Sequence, residues 1–196
     1  MPVRFAELTS AAPEPFQPMT FSVYRHLLSL TPQPRHPEQG DTRFVQPIAR
    51  AAYDGEAPIG LVLGEVPLDD EKGPEMLSLY TARSARRRGI GTELVAGLEE
   101  DVRRRGFTEL HTTFMTGKPS IAAVERILRK RGWSEPVTRT VTLRFAPEQA
   151  LATPWFGRVR LREAEFEIFP WKDLSEQERA ALKRSQQESR WIPAGL

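Results

Sequence analysis

The sequence predicts an α/β (α+β) domain, and three patterns carry that reading. Two strand-like stretches, Ile48–Tyr53 and Ile59–Val66, flank a segment of turn composition. A further strand signal, Met76–Thr81, runs through a basic, glycine-bearing loop straight into a helix with an apolar stripe. A second strand and helix follow between Leu110 and Arg131. Period-two and period-3.6 patterns alternating in one chain of 196 residues call for a sheet with helices against it.

Each element follows from local chemistry. Seven of the 17 prolines lie in the first 37 residues. Proline removes a donor and blocks helices, so residues 1–40 are expected to be irregular around one short helix. That helix is expected at Thr20–Leu30, with Thr20 as N-cap and Phe21, Tyr24, Leu27 and Leu28 at helical spacing. Ile48–Tyr53 and Ile59–Val66 read as a hairpin joined by Asp54-Gly55-Glu56-Ala57-Pro58, and Pro67–Pro74 as an acidic loop. After the Met76–Thr81 strand comes a helix over Thr92–Arg105, with Leu94, Val95, Leu98 and Val102 on its apolar face and Gly106 as its C′ residue. Leu110–Met115 reads as a strand. Ile121–Arg131 reads as a helix carrying Ala123, Val124, Ile127 and Leu128, ended by Gly132. Val137–Phe145 alternates as a strand. In the tail, Pro147–Trp155 suggests a short helix and Phe166–Phe169 a strand. Ser175-Glu176-Gln177-Glu178 is a capping box opening a helix to about Gln187, with few apolar positions.

Composition excludes several function classes. Hydrophobic residues are 39% and charged ones 28%, which is incompatible with wholesale disorder. There is no cysteine, hence no disulfide framework, cysteine nucleophile or thiolate metal site. His26, His36 and His111 lack metal-ligand spacing, so no metal is expected. His111, in a strand pattern, reads as structural. The net charge of +2 is mixed along the chain, without the basic stripe of a nucleic-acid binder. Arg103-Arg104-Arg105 reads as a solvated helix end that opposes the dipole. Apolar runs fall short of a membrane span and the N-terminus lacks a signal-peptide core, so a cytoplasmic protein is expected. Trp155, Trp171 and Trp191 crowd the tail, as anchors to its own core, or facing a partner or the substrate channel.

The chemistry concentrates in Arg86-Arg87-Arg88-Gly89-Ile90-Gly91, between a strand and a helix. Glycines allow close backbone approach and positive φ, and a helix start aims unpaired amides and partial positive charge at the same spot. Such a loop cradles a phosphate or pyrophosphate. Gly91 is followed by Thr92-Glu93-Leu94, which excludes the dinucleotide fingerprint Gly-x-Gly-x-x-Gly, and no Gly-Lys-Ser/Thr of a P-loop occurs.

Tyr80 through Gly91 resembles the acyl-CoA-binding motif of the GNAT superfamily of N-acyltransferases, Gln/Arg-x-x-Gly-x-Gly/Ala, matched by Arg86, Gly89 and Gly91. Ala123, Leu128, Lys130, Gly132 and Trp133 resemble the family's following helix, and the likeness covers about residues 45–145. It implies the GNAT fold: a central mixed, mostly antiparallel, splayed sheet with flanking helices. It also implies roles. The backbone of Leu79, Tyr80, Thr81 and Ala82 would pair with the pantetheine arm, and amides from Arg87, Arg88, Gly89, Ile90, Gly91 and Thr92 would bind the pyrophosphate. Arg86 would line the cradle, and Arg83, Arg87 or Arg88 would reach the 3′-phosphate. Ser120, at the family's frequent Asn position, would bond the pantetheine. Glu75 would be the catalytic base. The family's acid Tyr aligns with Leu128, which transfers no proton, so Tyr80 is the nearest alternative acid.

These expectations add up to an N-acyltransferase, an N-acetyltransferase above all, taking acetyl-CoA or another acyl-CoA as donor. With no cysteine to carry an acyl group, the amine would attack the thioester directly in a ternary complex, the N–H of Thr81 polarising its carbonyl. Acceptors left open are an amine-bearing small molecule, an amino-acid derivative or a peptide. The alternatives are a catalytically degenerate acyl-CoA-binding module, which Leu128 favours, and a ligand-free interaction scaffold. Residues 1–145 would form the GNAT domain. Residues 146–196 would be an extension resembling the junction of two-domain members, which either supplies a last strand and a helix to this domain or contacts a homodimer partner or a second acetyltransferase domain.

Overall fold

The hairpin expected at residues 48–66 is the centre of the fold, and it is longer than its apolar pattern implied. β3 (Phe44–Asp54) and β4 (Ala57–Pro67), 11 residues each, pair antiparallel from Val45 with Pro67 to Asp54 with Ala57. Gln46, Pro47 and Arg50 interrupt the alternation of β3 and hide its true length. The structure, a computed structural model, describes residues 2–12, 14–36, 43–68, 73–141, 146, 148–149, 152–154 and 171–188. By contact the chain divides into two units, Met1–Glu135 and Pro136–Leu196.

In the first unit the sheet order is β1-β3-β4-β5-β6, with β2 also on β3. β1 (Arg4–Leu8) and β2 (Gln33–Pro34) both pair antiparallel with β3. β5 (Glu75–Thr81) runs antiparallel to β4, and β6 (His111–Thr112) parallel to β5. The proline-rich start therefore supplies two strands, where irregular chain around one helix was expected. The Thr20–Leu30 helix is a 3-10 helix over Ser22–Ser29, preceded by another at Glu14–Met19. Thr20 is not its cap: its hydroxyl lies 2.8 Å from that of Ser78 on β5, both residues buried. The strand expected over Leu110–Met115 shrinks to two residues, because β6 leaves β5 after Thr112.

Each face of the sheet carries its own core. On one, α1 (Ile90–Arg104) lays Leu94, Val95, Leu98 and Val102 over Ile48, Ala52, Val62 and Met76, with Leu128 of α2 (Ile121–Lys130) in the same cluster. On the other, the 3-10 helices press Phe16, Leu27 and Leu28 onto Ala49, Ala51, Leu61, Leu63 and Leu77. β4 contributes to both, which is why it is buried along nearly its whole length.

One polar contact is set into the first core. Asp101 of α1 is fully buried, and Arg50 of β3 reaches it with Nε and Nη2, both at 2.6 Å. Arg104 also donates to Asp101, and to Glu7 of β1 at 2.9 Å. The Arg103–Arg105 run is thus more than a solvated end: it ties α1 to the sheet edge, and Arg105 donates to the helix carbonyl of Asp101 at 3.0 Å. Arg50 crosses α1 at Gly97, where a Cβ would stand 2.5 Å from its Cδ, so only a residue without a side chain leaves the path open.

In the second unit, Val137–Val141 is exposed and forms no strand, while residues 142–145 lie outside the described residues. So do the Phe166–Phe169 strand, Trp155, Trp191 and most of the Pro147–Trp155 helix. The capping box is present. Ser175 donates through its amide and hydroxyl to Glu178 at 2.8 and 2.6 Å, and the Glu178 amide returns a 3.3 Å bond to the Ser175 hydroxyl. It opens α3 (Glu176–Glu188), exposed over its first turns. No helix among the described residues is long and apolar enough to cross a membrane.

Removing one partner of the buried pair leaves the other charge uncompensated. Asp101→Ala is expected to lower unfolding free energy by about 3 kcal/mol, read from urea denaturation. Burial pushes the Asp101 carboxyl up, but hydrogen bonds and charge from Arg50 and Arg104 outweigh it and hold the carboxyl below its usual value. A depressed folded value means stability that is present above the unfolded carboxylate's pKa, about 3.9, and lost as pH falls through the folded one. The stability gap between wild type and Asp101→Asn should therefore narrow only in that acid range, as denaturation curves at stepped pH would show.

Candidate active site

β5 is the spine of the site, and its register contains a defect that matters. Leu63 pairs with Ser78 and the next residue, Gly64, with Met76, so Leu77 is an extra residue, a β-bulge. The consequence is visible in the packing. Leu77 and Leu79, two apart, would share a face in a regular strand, yet Leu77 packs in the 3-10-side core and Leu79 against the α1-side core. Glu75 and Tyr80, five apart, would fall on opposite faces without the bulge. With it, both belong to the face of the 3-10 helices.

Among the described residues, the outer edge of β5 is unpaired beyond its start: only Glu75 and Met76 pair with β6, with the Thr112 hydroxyl donating to the Met76 carbonyl at 2.9 Å. On the inner edge, the Ala82 amide donates to Ile59 at 2.8 Å. Strand alternation then turns the backbone of Thr81, and of Leu79 before it, toward the open edge. The Arg86 Nε donates to the Thr81 carbonyl there, at 3.3 Å. Ala82 differs from its neighbours: its carbonyl also accepts a bond from Ala85 at 2.9 Å, so both its backbone groups serve the protein itself.

The loop after β5 makes one 3-10 turn, Arg83–Ala85, before α1 begins at Ile90, two residues earlier than expected. Arg87 has φ +65° and Gly89, the N-cap position, φ +81°. The helix's first internal bond runs from the Glu93 amide to the Gly89 carbonyl at 3.1 Å. The amides of Ile90, Gly91 and Thr92 precede it and stand at the positive end of the helix dipole. The two glycines act differently. Gly89 supplies the left-handed turn. At Gly91 the constraint is space, since a Cβ would lie 2.9 Å from Ile127 Cδ1 on α2. Arg86, Arg87 and Arg88 are exposed, and Arg88 is paired with Asp54 of the hairpin turn at 3.0 Å.

Glu75, at the opposite end of β5, is paired directly across the sheet with Glu65. Arg35 lies between them, its Nε 2.7 Å from Glu65 Oε1 and its Nη2 on Glu75 Oε2. The Tyr24 phenol is pushed up by burial, with the charge of Glu75 adding to the effect. His111, in register beside Glu75 on β6, is exposed and lies 3.5 Å from Glu109. Ser120, at the N-cap of α2, is exposed and makes no capping bond. Leu128 is a buried core residue. Among the described residues, no group of three His, Asp or Glu is arranged to hold a metal ion.

Residues 6–128 match the acetyltransferase (GNAT) family. The chain belongs to the GNAT acetyltransferase family. Solved structures share its fold. The ribosomal-protein-alanine N-acetyltransferase from Brucella melitensis biovar Abortus 2308 is 18% identical, the match covering 74% of this chain and 100% of that one, with a TM-score of 0.50. An aminoglycoside N-acetyltransferase in complex with CoA is 14% identical over 73% of this chain and 94% of its own, with a TM-score of 0.51. No curated protein matches the sequence. The family's acetyl donor is acetyl-CoA, and the sheet with flanking helices is the GNAT fold expected from the loop motif.

Sequence reasoning did not find Arg35, Glu65 or the bulge at Leu77. Arg35 sits in a proline-rich stretch without periodicity, and Glu65 in an apolar strand where its partner was not visible. A bulge changes no residue type, so β5 carried no signal for it.

A non-glycine residue in the left-handed region costs roughly 1 kcal/mol. Arg87→Gly should therefore raise, and Gly89→Ala lower, the unfolding free energy by about that amount, as measured by chemical denaturation.

Proposed function

We propose that this GNAT protein is an acyl-CoA-dependent N-acetyltransferase acting on a primary amine by direct attack in a ternary complex. The observation that carries the reading is the continuity of β5. One strand offers an open backbone edge at Leu79 and Thr81, runs into the amides of Ile90, Gly91 and Thr92 at the start of α1, and holds Glu75 and Tyr80 on one face.

In this reading the pantetheine arm of acetyl-CoA pairs with Leu79–Thr81, and the pyrophosphate takes the helix-start amides with Arg86 and Arg87 beside it. Arg88 reaches the 3′-phosphate only by leaving Asp54. Glu75 accepts the ammonium proton through water. The amine lone pair forms the C–N bond, the C–S bond breaks, and the Thr81 N–H stabilises the charge on the carbonyl oxygen. Tyr80 gives its proton to the thiolate, and the attacking nitrogen loses its second proton through water to restore the Tyr80 phenol, leaving the neutral amide and free thiol. Ser120, exposed beside the arm, hydrogen-bonds it. The acceptor is a small amine, an amino-acid derivative or a peptide. Residues 1–145 are the catalytic domain in this reading, and residues 146–196 an extension suited to a second copy or a second acetyltransferase domain. A cytoplasmic setting fits such a donor.

Leu128 supports a second reading. Its burial leaves no phenol on α2 where the family resemblance sets the acid, as in an acyl-CoA-binding module without catalysis.

Saturating acetyl-CoA should raise the melting temperature, with about 2.7 kcal/mol of stabilisation at a hundredfold excess over Kd. Gly91→Val should abolish that rise. Thiol release from acetyl-CoA is then followed across spermidine, an aminoglycoside, free amino acids and a lysine peptide. Turnover that falls about 10²-fold in Glu75→Gln supports the enzyme. A melting shift with silence across the panel supports the module, and no shift at all overturns both.

A further inference from the structure

Arg35 is held by its surroundings at the Glu75 end of the face that Glu75 and Tyr80 share. Its backbone is held on both sides. Gln33 and Pro34, just before it, pair with Val45 and Phe44 of β3. Its amide donates to the Arg43 carbonyl at 2.9 Å, and its own carbonyl lies 3.1 Å from His26 Nε2. Its side chain is 16% exposed, against 5% for Glu65 and 21% for Glu75, so the three charges meet largely out of water.

The sheet creates the need for this guanidinium. Glu65 and Glu75 are directly opposite on antiparallel strands, where like charges repel. Unopposed, the long Glu75 side chain would swing away from its neighbour. Arg35 donates through Nη2 to Glu75 and sets Nε 2.7 Å from Glu65 as an ion pair, two nitrogens held at a fixed angle by one planar group. Tyr24 lies within electrostatic range of all three charges, and burial together with the charge of Glu75 raises its phenol pKa.

We propose that Arg35 is a positioning residue for the acetyl transfer: by bridging Glu75 to Glu65 it holds the Glu75 carboxylate in one orientation on the face of β5 that also carries Tyr80. The proposal rests on the reading of Glu75 as the base. Arg35 touches no reacting atom and acts only through that carboxylate.

A double-mutant cycle on the full chain tests it, using thiol release from acetyl-CoA with the most active amine of the panel. Arg35→Gln is expected to lower kcat by roughly 10²-fold, as displaced catalytic groups do. KM for acetyl-CoA and the acetyl-CoA melting shift should stay within about twofold of wild type, because the bridge lies at the far end of β5 from the helix-start amides. Arg35→Lys, which keeps the charge but not the two-armed bridge, should recover part of the loss. In a Glu75→Gln background, Arg35→Gln should add nothing.

A full further loss in that background overturns the proposal while leaving Glu75 as base. Unchanged activity in Glu75→Gln overturns the base reading and the proposal with it, as does silence across the amine panel. A rise in the KM for acetyl-CoA equal to the loss of kcat/KM makes Arg35 a general structural residue and overturns the proposal. Should Arg35→Gln fail to fold, the same cycle with Arg35→Lys decides, and kcat unchanged from wild type overturns it.

Discussion

The buried pair between Arg50 and Asp101 is the constraint on which the site depends. An apolar face alone lets a helix slide or rotate on a sheet with little loss, because dispersion and hydrophobic burial have no direction. Two hydrogen bonds of 2.6 Å from one guanidinium to one carboxylate do have direction. They fix α1 against β3 at Asp101, in the C-terminal half of a helix that begins at Ile90, and Arg104 and Arg105 extend the fixation to Glu7 on β1. A rigid helix anchored at its C-terminal half has its N-terminus aimed. The amides of Ile90, Gly91 and Thr92 are placed by this anchor at the end of β5.

The second device is the bulge at Leu77. It lets β5 serve both cores, with Leu77 on one face and Leu79 on the other, and it brings Glu75 and Tyr80 to a common side. It also lies where β6 departs. The strand is therefore held at its start by two neighbours and near its middle by the Thr20–Ser78 contact, and among the described residues one edge of its second half is unpaired. Ion pairs repeat the pattern at the far side of α1. Glu99 takes Arg131 at 2.6 Å and the Trp133 indole N–H at 2.8 Å, joining the end of α2 to α1.

Much of this was legible in the residues. Helix periodicity located α1 and α2 within two residues, and Ser175 with Glu178 announced α3, because a capping box is a local contact between residues three apart. The Gly89 turn was likewise readable, since a left-handed φ such as its +81° is adopted by glycine without steric cost. The N-terminal strands were not. β1 has no apolar alternation, and β2 contains a proline; both exist because the outer edge of β3 offers them partners. Thr20 has the look of a cap, but a buried hydroxyl on β5 was the better partner. Val137–Val141 has strand composition and is not a strand, for composition supplies no partner.

What the sequence by itself determined are the features written in neighbouring residues: helix lengths, caps, the hairpin turn, and a loop whose basic and glycine residues face a helix start. Their physical basis is backbone conformation and contacts within a turn or two, which need no knowledge of the remainder of the chain. Tertiary structure alone decided which edge of β5 is open, which face Glu75 occupies, and which cation stands against it. Arg35 is separated from Glu65 by 30 residues and from Glu75 by 40, and Arg50 from Asp101 by 51. Such pairs are made by strand order and register, which arise only when every element competes for the same partners.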